Sequence, residues 1–576
     1  MRIEKETVES TVYGLLKTWC DTMLDLQLDM PGKPAFDGGI LCPSCKEIHG
    51  RCHDAIYPLM YMADRTGDSR YLQAAKKLFA WGANMLCDDG SIYNDAQNEW
   101  NGITVFNAIS LCDALTLHGH LLEPAERVAW EERLKGYGNW LYHNLDGHLP
   151  TNINYFATNA CAMALLGAYF KKPEYQALAV RLMHSAEEHL TENGLLFGEG
   201  SPNDARTPKG CRPIDVGGYN VEESLPSLCR CAEISGDAEA LRIFTESFRA
   251  HLKWMLPDGA WDNSVGTRNF KWTYWGSRTS DGCQEALFTL GSRDPVFAEA
   301  AWRNLKLYER CTSGGLLHGG PDYARMGELP CVHHSFCHAK TLAAALDRGL
   351  YSFRRQRLPA DDPPALKYYP ELDTYRLARS GWRVDITAYD FAYMPGGHAS
   401  GGTVSLLFHE ACGPLIAVGA VDYALHEVHN QQLSLKKRLH RSVCPRIEAE
   451  LGGIRYGQHY DFDAVLQAEQ TTDAVCVHVD AVLCTPSQEK LSENGACTLD
   501  YKLTDDAFYI SGKAAPALAG SAAYILPITE AGQVQILKGR LLGEPAPVFS
   551  LDPGLLCREY RVCPDPEGVF ALCIRI

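Results

Sequence analysis

The spacing of hydrophobic residues divides the chain into two parts. Up to about residue 355, apolar positions recur at helical spacing, as in the segment 72–81, and short turn sequences separate one helix from the next. In the turn Arg65-Thr66-Gly67-Asp68, the glycine ends one helix and the aspartate begins another. Similar turns recur downstream, for example around Gly236. Helix pairs repeated along a chain in this way predict an α/α toroid or solenoid.

The hydrophobic period changes after the proline-rich stretch 358–364. Short β-type segments, separated by turn residues, follow at 403–409, 475–479, 508–512 and 570–576. Many strands without intervening helices predict an antiparallel β-sandwich. We therefore expect a multi-domain α+β protein, with an α/α toroid of helical hairpins at residues 1–355, a linker at 356–368 and an antiparallel β-sandwich at 369–576.

Composition and charge narrow the possible partners. The chain has 576 residues, 46% hydrophobic and 22% charged, which is typical of a globular protein. Its net charge is −17, from 54 basic and 71 acidic residues, and this argues against nucleic acid or an anionic membrane as a partner. The first residues alternate in charge and show no basic segment followed by an apolar one, so the interpretation is a cytoplasmic protein.

One group of cysteines has the spacing of metal ligands. Most of the 22 cysteines lie in apolar segments and are interpreted as small buried residues. Cys42, Cys45, His49 and Cys52, however, form a C-x2-C-x3-H-x2-C pattern. This group predicts either a structural zinc site or a reduced, partly buried cysteine cluster.

A loop rich in cations and aromatic residues is the strongest candidate for a binding site. Residues 262–278 contain three cations, asparagine and several aromatic rings. Trp272 and Trp275 could stack on sugar rings, and Tyr274 could transfer a proton. Arg268 or Arg278 could pair with a carboxylate. The alternative is that the aromatic residues cap the toroid and the cations pair with nearby aspartates.

The segment Gly396-Gly397-His398-Ala399-Ser400-Gly401-Gly402-Thr403-Val404-Ser405-Leu406 opens the predicted sandwich. It resembles the Gly-His-x-His-x-Asp-x-Leu segment of the heparinase II/III-like polysaccharide lyases, which also join a toroid to a sandwich. Ser400 and Gly402 stand where that family has the second His and the Asp, which help to hold a metal in some members. The resemblance implies an enzyme that cleaves uronic-acid-containing oligosaccharides or polysaccharides, such as glycosaminoglycans, by β-elimination.

The same resemblance implies roles for residues of the toroid. Asn152 to Asn159 lie where the family has an Asn-Asn-His motif before a helix, so Asn154 would bind the uronate carboxylate, and Tyr155 replaces the His. Tyr219 would be the tyrosine that transfers protons. Because the reference pKa of tyrosine is near 10, Tyr219 needs a neighbouring cation such as Arg268.

Two histidines and several polar residues complete the candidate site. His334 is a candidate base, and His398 is a candidate for lining the cleft from the sandwich. Each could instead be a structural residue. The other candidates for substrate binding are Asn152, Tyr155, Asn263, Lys271, Glu222 and Glu223.

Two other functions fit the same scaffold. The first is an inverting glycoside hydrolase, which needs two carboxylates about 6.5–9.5 Å apart. Candidates for that pair are Asp95, Glu199, Asp215, Glu222, Glu223 and Asp281. The second is a glycan-binding protein without catalytic activity. All three hypotheses share an acidic saccharide or another glycan as the partner.

Overall fold

The structure is a computed structural model that describes all residues except 96–97, 148–151, 203, 395, 423–442 and 493. Within the described residues, no helix is both long enough and apolar enough to cross a membrane. The α-helices are α1 (Lys5–Leu26), α2 (Ile56–Thr66), α3 (Ser69–Trp81), α4 (Thr104–His118), α5 (Pro124–Asn144), α6 (Ile153–Phe170), α7 (Pro173–Glu187), α8 (Leu225–Ser235), α9 (Ala238–His251), α10 (Gln284–Gly291), α11 (Pro295–Cys311), α12 (Tyr323–Met326) and α13 (Val332–Arg348).

The helices form two concentric rings. The inner ring consists of α2, α4, α6, α8, α10 and α13, each in contact with the next, and α13 contacts α2. The outer helices α3, α5, α7, α9 and α11 each pack on the inner helix that precedes them, and α1 packs on α13. The first helix of the chain thus pairs with the last inner helix. This closes the ring and makes the domain a toroid rather than an open solenoid.

The side-chain pattern explains which helices lie inside. Inner helix α4 is buried along nearly its whole length, because other helices surround it. Outer helix α9 buries Ala240, Phe244 and Phe248 on one face, while Glu239 and Arg242 lie on the other and form an ion pair. Burial of each such phenylalanine stabilises the fold by about 1.5–3 kcal/mol.

The β-strands are mostly in the C-terminal half. They are β1 (Arg2–Ile3), β2 (Trp272–Thr273), β3 (Gly276–Ser277), β4 (Thr312–Ser313), β5 (Leu316–Leu317), β6 (Phe353–Arg354), β7 (Leu366–Tyr369), β8 (Thr374–Arg379), β9 (Trp382–Thr387), β10 (Thr403–His409), β11 (Gly413–Ala417), β12 (Arg446–Leu451), β13 (Ile454–Gly457), β14 (Val465–Gln470), β15 (Val475–Val482), β16 (Ala496–Leu503), β17 (Phe508–Ala514), β18 (Ala522–Thr529), β19 (Gln533–Lys538), β20 (Arg540–Leu541), β21 (Ala546–Phe549), β22 (Leu556–Cys563) and β23 (Val569–Arg575).

In the described part of the C-terminal domain, the strands form three antiparallel sheets. The first has the order β11-β10-β9-β8-β7, the second β13-β12-β18-β22-β20 with β21 beside β22, and the third β14-β15-β16-β17-β23-β19. Hydrophobic side chains from all three sheets form one core. At the domain boundary, β6 pairs with β1, so the chain stays with the toroid to Arg354, and β7 begins at Leu366, inside the segment predicted as a linker.

The first sheet connects the sandwich to the toroid. On β10, Leu406 and Phe408 join the hydrophobic core of the toroid, whereas Val404 and Leu407 join the core of the sandwich. A bulge between Val404 and Leu406 interrupts the alternation of side chains. Both faces of β10 are therefore buried, which fixes the sandwich against the toroid.

Candidate functional site

A cleft of about 270 Å³ lies at the end of the toroid where the inner helices begin. Its lining comes from the first turns of inner helices or from the segments that lead into them. The lining residues are Arg51, Asn94, Asn98, Trp100, Ile103, Phe106, Asn152, Asn154, Tyr155, Tyr219, Arg268, Lys271, Thr279 and His333. The N-terminal ends of helices carry partial positive charge, so this end of the ring favours an anionic ligand.

The side chains of the cleft add to this positive charge. Among the described lining residues, Arg51, Arg268 and Lys271 are cationic and none is a carboxylate. Carboxylates lie one layer deeper, where Arg51 pairs with Asp54 and Asp281. The cleft surface is thus positive, although the whole chain is acidic.

Tyr219 lies between two cations. Lys271 Nζ donates a hydrogen bond to the Tyr219 hydroxyl at 3.2 Å, and the Arg268 guanidinium lies 4.6 Å from the centre of the tyrosine ring. The hydroxyl also forms a hydrogen bond with the Thr279 hydroxyl. Neighbouring positive charge stabilises a phenolate, so this environment favours proton transfer by Tyr219.

Arg268 and Asn154 are held by buried acids. Arg268 Nε lies 3.1 Å from Glu199 Oε2, and the Asn154 backbone N–H donates to Glu199 Oε1 at 2.9 Å. The Asn154 side-chain amide donates to Glu223 Oε1 at 2.7 Å. Burial raises the pKa of Glu199 to about 7, against the opposing effect of Arg268, and raises the pKa of Glu223 well above its usual range.

Two loops interlock behind Tyr219. The Gly217 N–H donates to Asn263 Oδ1 at 3.1 Å, and the Thr267 N–H donates to the Ile214 carbonyl at 2.8 Å. A Cβ at Gly217 would lie 2.5 Å from the Asp262 carbonyl oxygen, so this close approach requires glycine. The segment that carries Tyr219 is therefore fixed against the loop that carries Arg268 and Lys271.

The structure brings six of the predicted site residues together in the cleft. They are Asn152, Asn154, Tyr155, Tyr219, Arg268 and Lys271. The Tyr155 hydroxyl accepts a hydrogen bond from Trp100 Nε1 at 2.6 Å, and burial raises the pKa of Tyr155. A proton-transfer role at the position of the family's His is thus less favourable for Tyr155 than for Tyr219, which has cationic neighbours.

The predicted roles of Trp272, Trp275 and Tyr274 do not agree with their positions. Both tryptophans are completely buried in the toroid core, and their indole N–H groups donate to the carbonyls of Trp261 and His318. They cannot stack on a sugar in this arrangement. The Tyr274 hydroxyl donates to Asp258 Oδ2 at 2.9 Å, away from the cleft lining, so Tyr274 stabilises the loop instead.

The predicted acids and Asn263 support the cleft from below. Glu222 accepts hydrogen bonds from the Ser277 N–H, the Ser280 hydroxyl and the Tyr308 hydroxyl. It therefore holds the β2–β3 turn rather than substrate. Glu223 orients Asn154, and Asn263 anchors Gly217, as described above. The sequence predicts that Glu222, Glu223 and Asn263 contact the substrate, but in the structure they lie behind the residues that line the cleft.

Arg278 and the two predicted histidines also lie outside the cleft lining. Arg278 is 1% exposed. His334 is completely buried beside Trp275, with 5.6 Å between the ring centres, and burial lowers its pKa well below the usual range. His398 lies in the sandwich, where its ring nitrogens lie 3.0 and 3.2 Å from the carbonyl oxygens of Phe391 and Ala399. These positions indicate structural roles.

Several lining residues were not among the sequence candidates. Arg51 and His333 are the titratable ones, and Trp100 is 41% exposed. A tryptophan combines a large apolar face with an N–H donor, so Trp100 in its polar loop could have been proposed from the sequence as a residue that stacks on a sugar ring. The choice of His333 over His334 depends on the rotation of α13, which the sequence did not determine.

The predicted set of metal ligands also needs a correction. Cys42, Cys45 and His49 lie together, but Cys52 is not among the ligand atoms that lie within 4.8 Å of one another. Cys331, from the start of α13, takes the fourth position. A partner so distant in the chain cannot be found from local spacing.

Comparisons with known proteins match most of the chain. The ulvan lyase N-terminal domain matches residues 16–360, and the ulvan lyase C-terminal domain matches residues 366–538. A broad-specificity ulvan lyase from Formosa agariphila is 36% identical over 527 residues, which cover 89% of this chain and 82% of that protein.

Solved structures of other lyases are also similar, at lower identity. A heparan sulfate lyase from Pedobacter heparinus is 11% identical with a TM-score of 0.43, over 97% of this chain and 82% of that one. A chondroitin AC lyase from Streptomyces coelicolor A3 is 13% identical with a TM-score of 0.48, over 98% and 79%. The N-terminal family match alone spans more than half of the chain, and together with the 36% identical relative it shows that the chain belongs to the ulvan lyase family and is a polysaccharide lyase that acts by elimination.

Proposed function

We propose that the cleft binds a uronic acid residue of an acidic polysaccharide and that Tyr219 transfers the protons of the β-elimination. The observation that carries this proposal is the position of the Tyr219 hydroxyl, 3.2 Å from Lys271 Nζ and next to the Arg268 guanidinium. A base, a source of positive charge and an anion-favouring helix end thus occur in one cleft.

The elimination has two chemical requirements. The proton on C5 of the uronate must be removed while the C4–oxygen bond breaks, and the C5–H electron pair then forms the C4–C5 double bond. Tyr219 as phenolate takes the C5 proton, and the resulting phenol returns a proton to the departing oxygen. Negative charge on the carboxylate opposes the first step, so nearby cations must neutralise it.

Arg268, Lys271 and Asn154 are the groups placed to neutralise the carboxylate. The Arg268 guanidinium has five N–H groups: Nε faces Glu199, and Nη2 donates to the Tyr393 hydroxyl at 3.3 Å. Asn154 donates one amide hydrogen to Glu223 and has a second for a ligand. Since Glu199 and Glu223 fix these two side chains, the cleft is preorganised for the transition state.

Ulvan is the first substrate to test, because the matching family and the 36% identical relative carry its name. The cleft surface, with its three cations, suits any polysaccharide that presents a carboxylate. We therefore place ulvan first and other uronate-containing chains second.

The decisive experiment compares two tyrosine variants. Purified wild type, Tyr219→Phe and Tyr274→Phe are incubated with ulvan, chondroitin sulfate and heparan sulfate, and the absorbance of the unsaturated uronate product is followed. We expect turnover by Tyr219→Phe to fall by a factor of about 10²–10⁴ with little change in melting temperature. Tyr274→Phe should keep its turnover and lose about 1–3 kcal/mol of stability, because the partly buried Asp258 carboxylate loses the hydrogen bond from the Tyr274 hydroxyl.

Two results would contradict the proposal. Retained turnover in Tyr219→Phe would remove Tyr219 from the mechanism. Reducing ends without unsaturated product would indicate hydrolysis, which the alternative with two carboxylates predicts.

A further inference from the structure

Four potential metal ligands converge beside the cleft. Cys331 Sγ lies 3.7 Å from Cys42 Sγ, 3.7 Å from Cys45 Sγ and 3.8 Å from His49 Nε2. All four ligand atoms lie within 4.8 Å of one another. Cys42, His49 and Cys331 are buried, and Cys45 is partly buried.

These distances match a tetrahedral zinc site. With Zn–S bonds of about 2.3 Å, the sulfur atoms of a regular tetrahedron lie about 3.8 Å apart. A disulfide would require about 2.05 Å between the sulfur atoms. Three sulfur atoms and one imidazole nitrogen are a common ligand set of structural zinc.

The surroundings support the same assignment. The Cys45 N–H donates to Cys42 Sγ at 3.3 Å, as expected for a sulfur that carries negative charge. Glu47 Oε1 lies 3.7 Å from His49 Nδ1, so the other ring nitrogen, Nε2, points to the cysteines. A carboxylate behind a ligating histidine is a frequent feature of zinc sites.

We infer that Cys42, Cys45, His49 and Cys331 bind one zinc ion with a structural role. Four protein ligands leave no open position on the metal, so the ion takes no part in the elimination. It connects the segment 42–49, which follows α1, to the start of α13. Two cleft residues flank these ligands: Arg51 is two residues after His49, and His333 is two residues after Cys331.

The zinc ion would link two segments of the toroid that are distant in the chain. Because α13 closes the ring against α2, the ion joins an early segment of the toroid to its last inner helix. Removal of the metal would leave three neighbouring cysteines and a histidine in one buried pocket, and would loosen the segments that carry Arg51 and His333.

The test measures metal content in the full-length protein. Protein expressed with zinc and kept reduced is analysed by elemental mass spectrometry, in parallel with Cys331→Ala and Cys52→Ala. We expect about one zinc per chain in the wild type and in Cys52→Ala, and less than a tenth of that in Cys331→Ala, together with a lower melting temperature. Cys52 is the matched control, since it is a buried cysteine close to the site in sequence and is not one of the four converging residues.

A second measurement applies even if Cys331→Ala does not fold. Cobalt(II) replaces zinc in the wild type, and its absorption spectrum should show a tetrahedral site with thiolate ligands. The inference is overturned if the wild type holds no stoichiometric metal and binds no cobalt. It is also overturned if intact mass shows a disulfide among these cysteines, or if Cys52→Ala rather than Cys331→Ala loses the metal.

Discussion

Glu199 is completely buried and faces a cation. Its side chain has no exposed surface, Arg268 Nε lies 3.1 Å from Oε2, and the Asn154 N–H donates to Oε1. Burial raises its pKa from 4.5 to about 7, because desolvation of the charged form exceeds the attraction of Arg268. The folded protein therefore holds this proton at pH values where the unfolded chain has lost it.

This shift predicts how stability depends on pH. Between about pH 4.5 and 7 the folded state binds the extra proton, so the contribution of Glu199 to stability falls as the pH rises. The full change is about 3 kcal/mol for a shift of this size. Gln at position 199 does not titrate. The difference in free energy of unfolding between wild type and Glu199→Gln should therefore fall by about 3 kcal/mol from pH 4.5 to pH 8.

Urea unfolding of both proteins at a series of pH values measures this difference. Groups that both proteins share cancel in the comparison, Asp552 included, whose pKa burial also raises to about 7. A difference that is constant with pH, or that grows as the pH rises, would show that Glu199 is ionised throughout.

At the scale of residues, the sequence indicated the chemistry of the loop 262–278 but not the direction of its side chains. Arg268 and Lys271 line the cleft, whereas Trp272 and Trp275 enter the core. A tryptophan buries about 150–250 Å² of surface, so the hydrophobic core takes it whenever the loop geometry allows. An irregular loop has no periodicity from which these directions could be predicted.

Helix α13 separates two adjacent histidines by its geometry. Successive residues of a helix point about 100° apart, so His333 lines the cleft while His334 packs beside Trp275. Burial and the charge of Arg51 hold the pKa of His333 well below its usual range, which keeps its imidazole neutral. A neutral imidazole can form a hydrogen bond with substrate without adding charge.

The two histidines should therefore differ in their alanine variants. We expect His333→Ala to lower kcat/KM by about tenfold, the effect of one lost polar contact of about 1.4 kcal/mol. His334→Ala should leave kcat/KM within about twofold and lower the stability by about 2 kcal/mol, because it creates a cavity in the core. Steady-state kinetics and melting temperatures test both, and the reverse pattern would place His334 in the site.

Helices with a strong hydrophobic periodicity could be predicted from the sequence. Features that depend on irregular backbone or on contacts between distant segments could not. The helix turn at Gly67 and Asp68 is as predicted: Gly67 has a φ of 70°, and Asp68 caps α3 through the Arg70 N–H. The turn 220–224, a short π-helix before α8, has no such signal. Local sequence also gives no signal that Cys331 lies beside Cys42, Cys45 and His49, because these residues are almost 290 positions earlier in the chain.

At the scale of the whole molecule, a buried ion cluster joins the two domains. Arg376 on β8 pairs with Asp385 on β9 at 2.9 Å and with Asp262 at 3.2 Å, and its guanidinium lies 3.9 Å from the ring centre of Trp254. Both aspartates are almost completely buried. Asp262 begins the loop that carries Arg268 and Lys271, so the sandwich fixes the base of that loop.

Replacement of Arg376 should therefore affect both stability and activity. Arg376→Met keeps most of the apolar side chain but leaves two buried carboxylates without their partner, which costs about 3–5 kcal/mol. The variant should also lose activity at temperatures well below its melting point, because the loop behind Arg268 is released. Burial already raises the pKa of Asp385 well above its usual range against the attraction of Arg376, and removal of Arg376 would raise it further, so the loss of stability should be smaller at pH 5 than at pH 8.

Arg379 on the same strand provides the control. It pairs with Asp505, which is exposed, so Arg379→Met should change the stability by less than about 1 kcal/mol and leave kcat/KM unchanged. Unfolding curves at pH 5 and pH 8 and kinetics on ulvan compare the two variants. If both lose stability equally while both retain activity, the sandwich contributes only general stability. If Arg376→Met alone loses activity while still folded, the position of the loop that carries Arg268 and Lys271 depends on its contact with the first sheet, and the sandwich helps to position the cleft.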